Sequence, residues 1–102
     1  MPTTQIQQMI PKIHDYFLNQ PVQYAYIFGS YSRGEETNNS DVDILVKLDS
    51  NERIGLLKYV NMICELEKLL GRPVDLVEED GLDKYVKPFV EKDKILVYER
   101  TN

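Results

Sequence analysis

Cysteine, basic charge and long apolar runs are all scarce in this sequence of 102 residues, and each shortage closes off a class of protein. The single cysteine, Cys64, can form no intramolecular disulfide, which points to a reducing compartment. Twelve Lys and Arg stand against 17 Asp and Glu, for a net charge of −5. A duplex nucleic-acid binder needs a basic stripe to displace counterions, so direct nucleic-acid binding is not expected. A nucleotide remains admissible, because metal ions can meet its phosphates. No apolar run nears the roughly 18 residues of a membrane span. The first residues, MPTTQIQQMIPKIHDYF, lack the basic start and apolar core of a signal peptide. No membrane association is expected, and the cytoplasm is the expected location. Repeats, low-complexity tracts and linkers are missing too, so residues 1–102 read as a single domain with little material for a separate substrate-binding lobe. Hydrophobic content of 42% and charged content of 28% are near globular averages, and disorder is not expected.

What is present reads as alternating helices and strands. Thr3 or Thr4 can cap a first helix to about Asn19, with a stripe Ile6, Ile10, Ile13, Phe17 and an awkward Pro11 near its start. Val22–Phe28 alternates and is aromatic, the signature of a strand, and stops at Gly29-Ser30. One short helical turn is expected after Ser30. Asp41–Lys47 reads as a second strand. A helix over roughly 51–70 follows, with Ser50 as N-cap, Leu57, Val60, Ile63 or Cys64, Leu66 and Leu70 inward, and Gly71 as C-cap glycine before Pro73. Pro73–Val77 is a third strand, a short helix is expected around 82–90, and Ile95–Tyr98 closes the chain. The fold class is therefore α/β (α+β): a small mixed sheet of three to four strands with helices packed on it.

Three features bear on chemistry. Gly29-Ser30 directly after a strand lets the backbone turn sharply, and the amides that follow can face an anion with the serine hydroxyl as a further donor. Taken alone, such a pair is more often a plain turn. Asp41-Val42-Asp43 would place two carboxylates on one face of a strand, where they repel unless a cation lies between them. An isolated pair of this kind is more often a solvated strand end. Asp75, between Val74 and Leu76, sits either on an exposed face or beside something positive. If their strands are neighbours, the three acids converge opposite the Gly-Ser turn. Hard oxygen ligands of that kind suit Mg²⁺, and two such ions can hold both oxygens of an in-line displacement at phosphorus.

Gly29-Ser30, then ten residues, then Asp41-Val42-Asp43 resembles the signature of the DNA-polymerase-β-like nucleotidyltransferase superfamily. At this chain length the sequence is similar to the minimal nucleotidyltransferase (MNT) antitoxins. The stretch 28–46, FGSYSRGEETNNSDVDILV, also matches in Arg33-Gly34 and in Ser40 before the first Asp, and Asp75 supplies the third acid. Ser32 departs from the alanine often found there, a small residue for a small one. The resemblance implies an enzyme that transfers AMP from ATP, with two Mg²⁺ ions, to a tyrosine of a partner HEPN-domain toxin, an RNA-cleaving protein, and so silences it. Carried over by position, Gly29 and Ser30 hold the triphosphate, with Arg33 and Ser40 as further nucleotide contacts. Asp41 and Asp43 bind both ions. Asp75 binds the catalytic ion and helps deprotonate the acceptor hydroxyl. Arg33 reads equally well as a surface residue pairing with Glu35 or Glu36. A protein of the same fold that masks the toxin without catalysis is the alternative. Transfer to a small molecule such as an aminoglycoside is disfavoured, because no second domain is expected to bind one.

Other conspicuous residues read as structural. His14 flanks the first helix stripe, and Cys64 is expected in the core as a small hydrophobe. Tyr24 and Tyr26 are expected to pack together, and Tyr31 to offer a ring on which a base could stack. Glu35-Glu36 and Glu78-Glu79-Asp80 read as solvated runs.

Overall fold

The structure, a computed structural model, describes residues 4–101. Thr3, one of the two expected caps of the first helix, lies outside the described residues. The elements run α1 (Thr4–Phe17), β1 (Val22–Phe28), α2 (Ser30–Arg33), β2 (Val42–Leu48), α3 (Leu56–Leu70), β3 (Val74–Glu78), a 3₁₀ turn (Glu79–Gly81), α4 (Lys87–Asp93) and β4 (Ile95–Glu99). The expected order and the mixed sheet are both present. Strands lie in the order β3-β2-β1-β4, with β1 antiparallel to both β2 and β4 and β2 parallel to β3. The parallel pair follows from its connection, since only a long crossover such as α3 can return the chain in the same direction. No helix among the described residues is long and apolar enough to cross a membrane.

One face of the sheet is covered. Ile6, Met9, Ile13 and Phe17 of α1 are buried against alternate residues of the strands: Ala25 and Ile27, Val42, Ile44 and Val46, Val74 and Leu76. Each fully buried aliphatic or aromatic side chain contributes about 1.5–3 kcal/mol, so this layer dominates stability. Pro11 is accommodated inside α1, on its exposed side. The intervening residues, Tyr24, Tyr26 and Phe28, Asp43, Leu45 and Lys47, Asp75 and Val77, point to the other face by strand alternation. That face is only partly covered, and it carries the acids.

The third helix departs from expectation. It begins at Leu56 behind Gly55, and neither Ser50 nor any other side chain caps it. Asp49 takes the turn instead, accepting from the Asn51 amide at 2.9 Å and pairing with Arg100 at 2.6 Å. The helix is also rotated relative to the expected stripe. Met62 and Leu66 are buried, with Tyr59, Ile63 and Leu70 packed beside them, whereas Leu57 and Val60 are 76% and 43% exposed and Cys64 is exposed. Two apolar stripes share α3, and periodicity cannot choose between them. Contact with β3 does, and the Tyr59 hydroxyl donates to the Leu76 carbonyl on that strand. The last helix starts at Lys87 rather than 82, after the 3₁₀ turn, which Glu78 caps by accepting from the Asp80 amide at 2.6 Å. The acidic run 78–80 is therefore not merely solvated. Glu79 accepts from the Tyr24 hydroxyl, and Asp80 pairs with Lys47 at 2.8 Å.

Candidate active site

β1 ends at Phe28, and the next residue turns the chain in a way only glycine tolerates. Gly29 has φ 75° and ψ −151°, a region closed to residues with a Cβ. Its carbonyl then accepts from the Ser32 amide at 3.1 Å and the Ser32 hydroxyl at 2.7 Å, which starts the single turn of α2. The amides that open such a turn have no intrahelical acceptor. Ser30 is half-buried at this point. Gly34 ends the turn in the left-handed conformation.

Asp43 lies beside this loop. It is the register partner of Phe28 across β1–β2, and its Oδ2 would stand 2.1 Å from a Cβ placed on Gly29. The space that a side chain would fill at residue 29 is thus occupied by the Asp43 carboxylate. On its other side, Asp43 is in parallel register with Asp75. Paired residues of neighbouring strands, about 4.8 Å apart, project to the same face. Asp75 therefore shares the face of Asp43 and is exposed there. Asp41 precedes β2 instead of lying within it, is exposed, and is close enough to act on Asp43 electrostatically. The Val42 amide donates to the Pro73 carbonyl at 2.9 Å, tying the starts of β2 and β3 together under the acids.

This crowding changes the acid–base behaviour of Asp43. Partial burial, then the charges of Asp75 and Asp41, push its carboxyl up to about 6, and Arg33 opposes the rise. In the unfolded chain the value is ordinary, near 4. Between those two values the folded protein holds a proton that the unfolded chain has released, so stability falls as pH rises from about 4 to about 6. Asp43→Asn removes that loss. In divalent-free buffer at pH 7.5 the variant is expected to be more stable by about 1 kcal/mol, the two-unit shift being discounted for partial exposure. Urea unfolding of both proteins at pH 4.5 and pH 7.5 measures this, and equal midpoints at pH 7.5 would remove the assigned crowding.

The remaining expected residues are placed differently. Arg33 pairs with Glu35 at 2.7 Å, as one of its two readings expected, and with Asp93 of α4 at 2.9 Å, a partner that the sequence did not suggest. Ser40 accepts from the Thr37 amide at 2.8 Å, and its hydroxyl shapes the turn that leads into Asp41. Tyr31 offers no ring to a base, because it is fully buried and anchors α2 in the core. Tyr24 and Tyr26 do pack edge to face, at 5.6 Å between ring centroids, and Lys94 lies 4.3 Å over Tyr26. His14 flanks the core with its ring edge-on to Tyr98.

Among the described residues no three His, Cys, Asp or Glu side chains stand close enough together to hold a metal ion by themselves. The acids nevertheless fit a cation shared with a phosphate ligand, since Mg²⁺ takes one or two carboxylates and completes its shell from water and phosphate oxygens. The repulsion that Asp43 feels from Asp75 and Asp41, and the seat its carboxylate takes against Gly29, are the local signs of that fit.

Comparison with known proteins agrees with this geometry. The model of the nucleotidyltransferase domain family matches residues 10–97. Over 77 residues the chain is 44% identical to a Methanocaldococcus jannaschii protein provisionally named as a protein adenylyltransferase, covering 74% of this chain and 77% of that one. Over 71 residues it is 44% identical to the protein adenylyltransferase MntA of Thermococcus cleftensis, 70% of either chain. Among solved structures, one described provisionally as a minimal nucleotidyltransferase superposes with a TM-score of 0.76 at 28% identity, over 93% of this chain and 95% of that one. A crystal structure of a toxin–antitoxin with AMP-PNP shares the fold, with a TM-score of 0.75 at 24% identity over 90% and 74% of the two chains. The glycine turn, the acids in register and a family match spanning nearly the whole sequence lead to one conclusion: this chain belongs to the nucleotidyltransferase domain family.

Proposed function

We propose that this nucleotidyltransferase is an antitoxin that transfers AMP from ATP to a tyrosine hydroxyl of a partner HEPN toxin and so inactivates it. The observation that carries the reading is the register of Asp43 with Asp75, on the open face of the sheet and against the space left by Gly29. The naming of the Thermococcus cleftensis relative as a protein adenylyltransferase supports a protein acceptor. A second fold relative, described as a tri-AMPylated Shewanella oneidensis HEPN toxin in complex with an MNT antitoxin, indicates the kind of acceptor to test.

Gly29 and Ser30 receive the triphosphate, the sharp turn that glycine permits presenting the amides that follow it. Asp41 and Asp43 would hold two Mg²⁺ ions, with Asp75 as a further ligand of one. Bound there, the metal offsets charge on the phosphates and on the attacking and leaving oxygens. The acceptor oxygen attacks the α-phosphorus, the bond to the bridging oxygen of the β-phosphate breaks, and pyrophosphate departs. Asp75 takes the proton of the acceptor hydroxyl, a role supported by its exposure and its register with Asp43. Phosphoryl-type transfer asks mainly for positioning and charge neutralisation, and a small domain can supply both.

Intact-mass measurement tests the proposal directly. The protein is incubated with Mg²⁺, the partner HEPN toxin and each of the four NTPs in turn. The partner is expected to gain one or more AMP masses with ATP, and tyrosine is expected to carry them. No mass gain with any NTP would overturn the reading.

A further inference from the structure

Beside the glycine turn lies a cleft that the proposed chemistry leaves unused. It measures about 200 Å³, between the end of β1 and α4, and Phe28, Gly29, Val86, Phe89 and Val90 form most of its wall. Two of these are unusual for a small domain surface. Phe89 is 72% and Val86 45% exposed, and among the described residues Phe89 stacks on no other ring. At the rim stands the Arg33–Asp93 pair, 2.9 Å apart, where Asp93 is only 20% exposed.

We infer that this cleft is the subsite for the nucleobase of the NTP donor, with the ring of Phe89 as its stacking wall. The inference rests on the proposed function in one respect, that the triphosphate lies at Gly29-Ser30. Gly29 lines both places, so a nucleotide whose phosphates meet the turn has its base within reach of the cleft. The volume is well below the roughly 300–1,000 Å³ of sites for drug-sized ligands, and suits a single flat heterocycle. Its apolar walls match the faces of such a ring, and an exposed phenyl group gains by covering them. The polar edge of the base then meets the rim. Arg33 spends two of its N–H groups on Glu35 and Asp93 and retains others to donate, while the Asp93 carboxylate accepts. The ion pair would thus orient the base, a role distinct from the phosphate contact expected of Arg33.

Binding of ATP and of tripolyphosphate, each with Mg²⁺, separates this inference from the reading beneath it. Calorimetry on Phe89→Ala should show ATP weakened about tenfold, as loss of a base-stacking ring predicts, with tripolyphosphate unchanged. Phe89→Trp should retain ATP affinity. The chain has no other tryptophan, so the emission of this variant reports the ring alone, and ATP should quench it while tripolyphosphate does not. Unchanged ATP affinity in Phe89→Ala, or emission of Phe89→Trp indifferent to ATP, would overturn the base subsite and leave the phosphate turn standing. Failure of tripolyphosphate to bind the wild-type protein would overturn the phosphate turn itself. A third pattern, ATP binding intact in Phe89→Ala but partner labelling lost, would show that the cleft receives the acceptor protein, and would likewise end the inference.

Discussion

Replacing Asp41 and Asp43 together by alanine is expected to abolish labelling of the partner while leaving the protein folded. Removing one preorganised electrostatic contact commonly lowers turnover by about a hundredfold or more, and this pair is assigned two of the three carboxylates that hold the cations, so the loss should exceed that figure. Stability should not follow activity down. Asp41 is exposed, and the Asp43 carboxyl is pushed up by partial burial and then by the charges of Asp75 and Asp41, so deletion relieves desolvation and repulsion and sacrifices little packing. Circular dichroism and urea unfolding check the fold, and transfer of label from ATP checks the chemistry. Undiminished labelling would sink the catalytic assignment. Should the double variant transfer nothing yet still protect cells from the partner, masking by binding would be the function and catalysis secondary.

The second large effect is at Gly29. Alanine there meets two obstacles. The backbone conformation, φ 75° with ψ −151°, is one that a Cβ resists, at a cost of about 1–3 kcal/mol. The new methyl would also fall 2.1 Å from the Asp43 Oδ2, far inside contact distance, so the carboxylate must swing away or the strand end must shift. Displacing a catalytic group by about 1 Å can cost about a hundredfold in rate, and Gly29→Ala is expected to lose at least that much in kcat. The two obstacles separate in a double-mutant cycle. In an Asp43→Ala background the steric part disappears and only the backbone part remains, so the stability cost of Gly29→Ala should shrink. If the cost is the same in both backgrounds, the carboxylate does not fill the space beside the glycine.

How much of this was legible in the sequence depended on whether a residue's role is local. β1 was, because Val22–Phe28 is aromatic and alternating and is followed by a glycine that turns the chain. The glycine at 71 was, because a left-handed C-cap has a local requirement. The meeting of Asp43 with Asp75 was legible only as a condition, that their strands be neighbours, and β2–β3 pairing fulfils it. The inward face of α3 was legible only in part: Ile63, Leu66 and Leu70 face the core as expected, whereas Leu57, Val60 and Cys64 do not. Leu56, Leu57, Val60 and Cys64 make as good a stripe as Tyr59, Met62, Ile63 and Leu66, and only contacts with distant residues choose between them. The fate of Tyr31 was hidden for a related reason, since a tyrosine beside a serine turn carries no local mark of burial. Asp93 as a partner of Arg33, 60 residues away, had no signal at all. The cleft at Phe89 was equally silent, because an apolar residue on a short helix reads as core until the structure leaves it uncovered.

One further consequence comes from the way the sheet is threaded. Asp43 and Asp75 are adjacent in space, but a 15-residue helix intervenes between their strands, and parallel pairing cannot start from a hairpin. A nascent or refolding chain can complete the β1–β2 antiparallel pair early, since its contacts are local, and still lack its third acid. If Asp75 acts as proposed, competence for chemistry arrives only with closure of the long-range crossover. On the proposed assignment of Asp75, half-made protein with the glycine turn and the first two acids in place would be chemically mute.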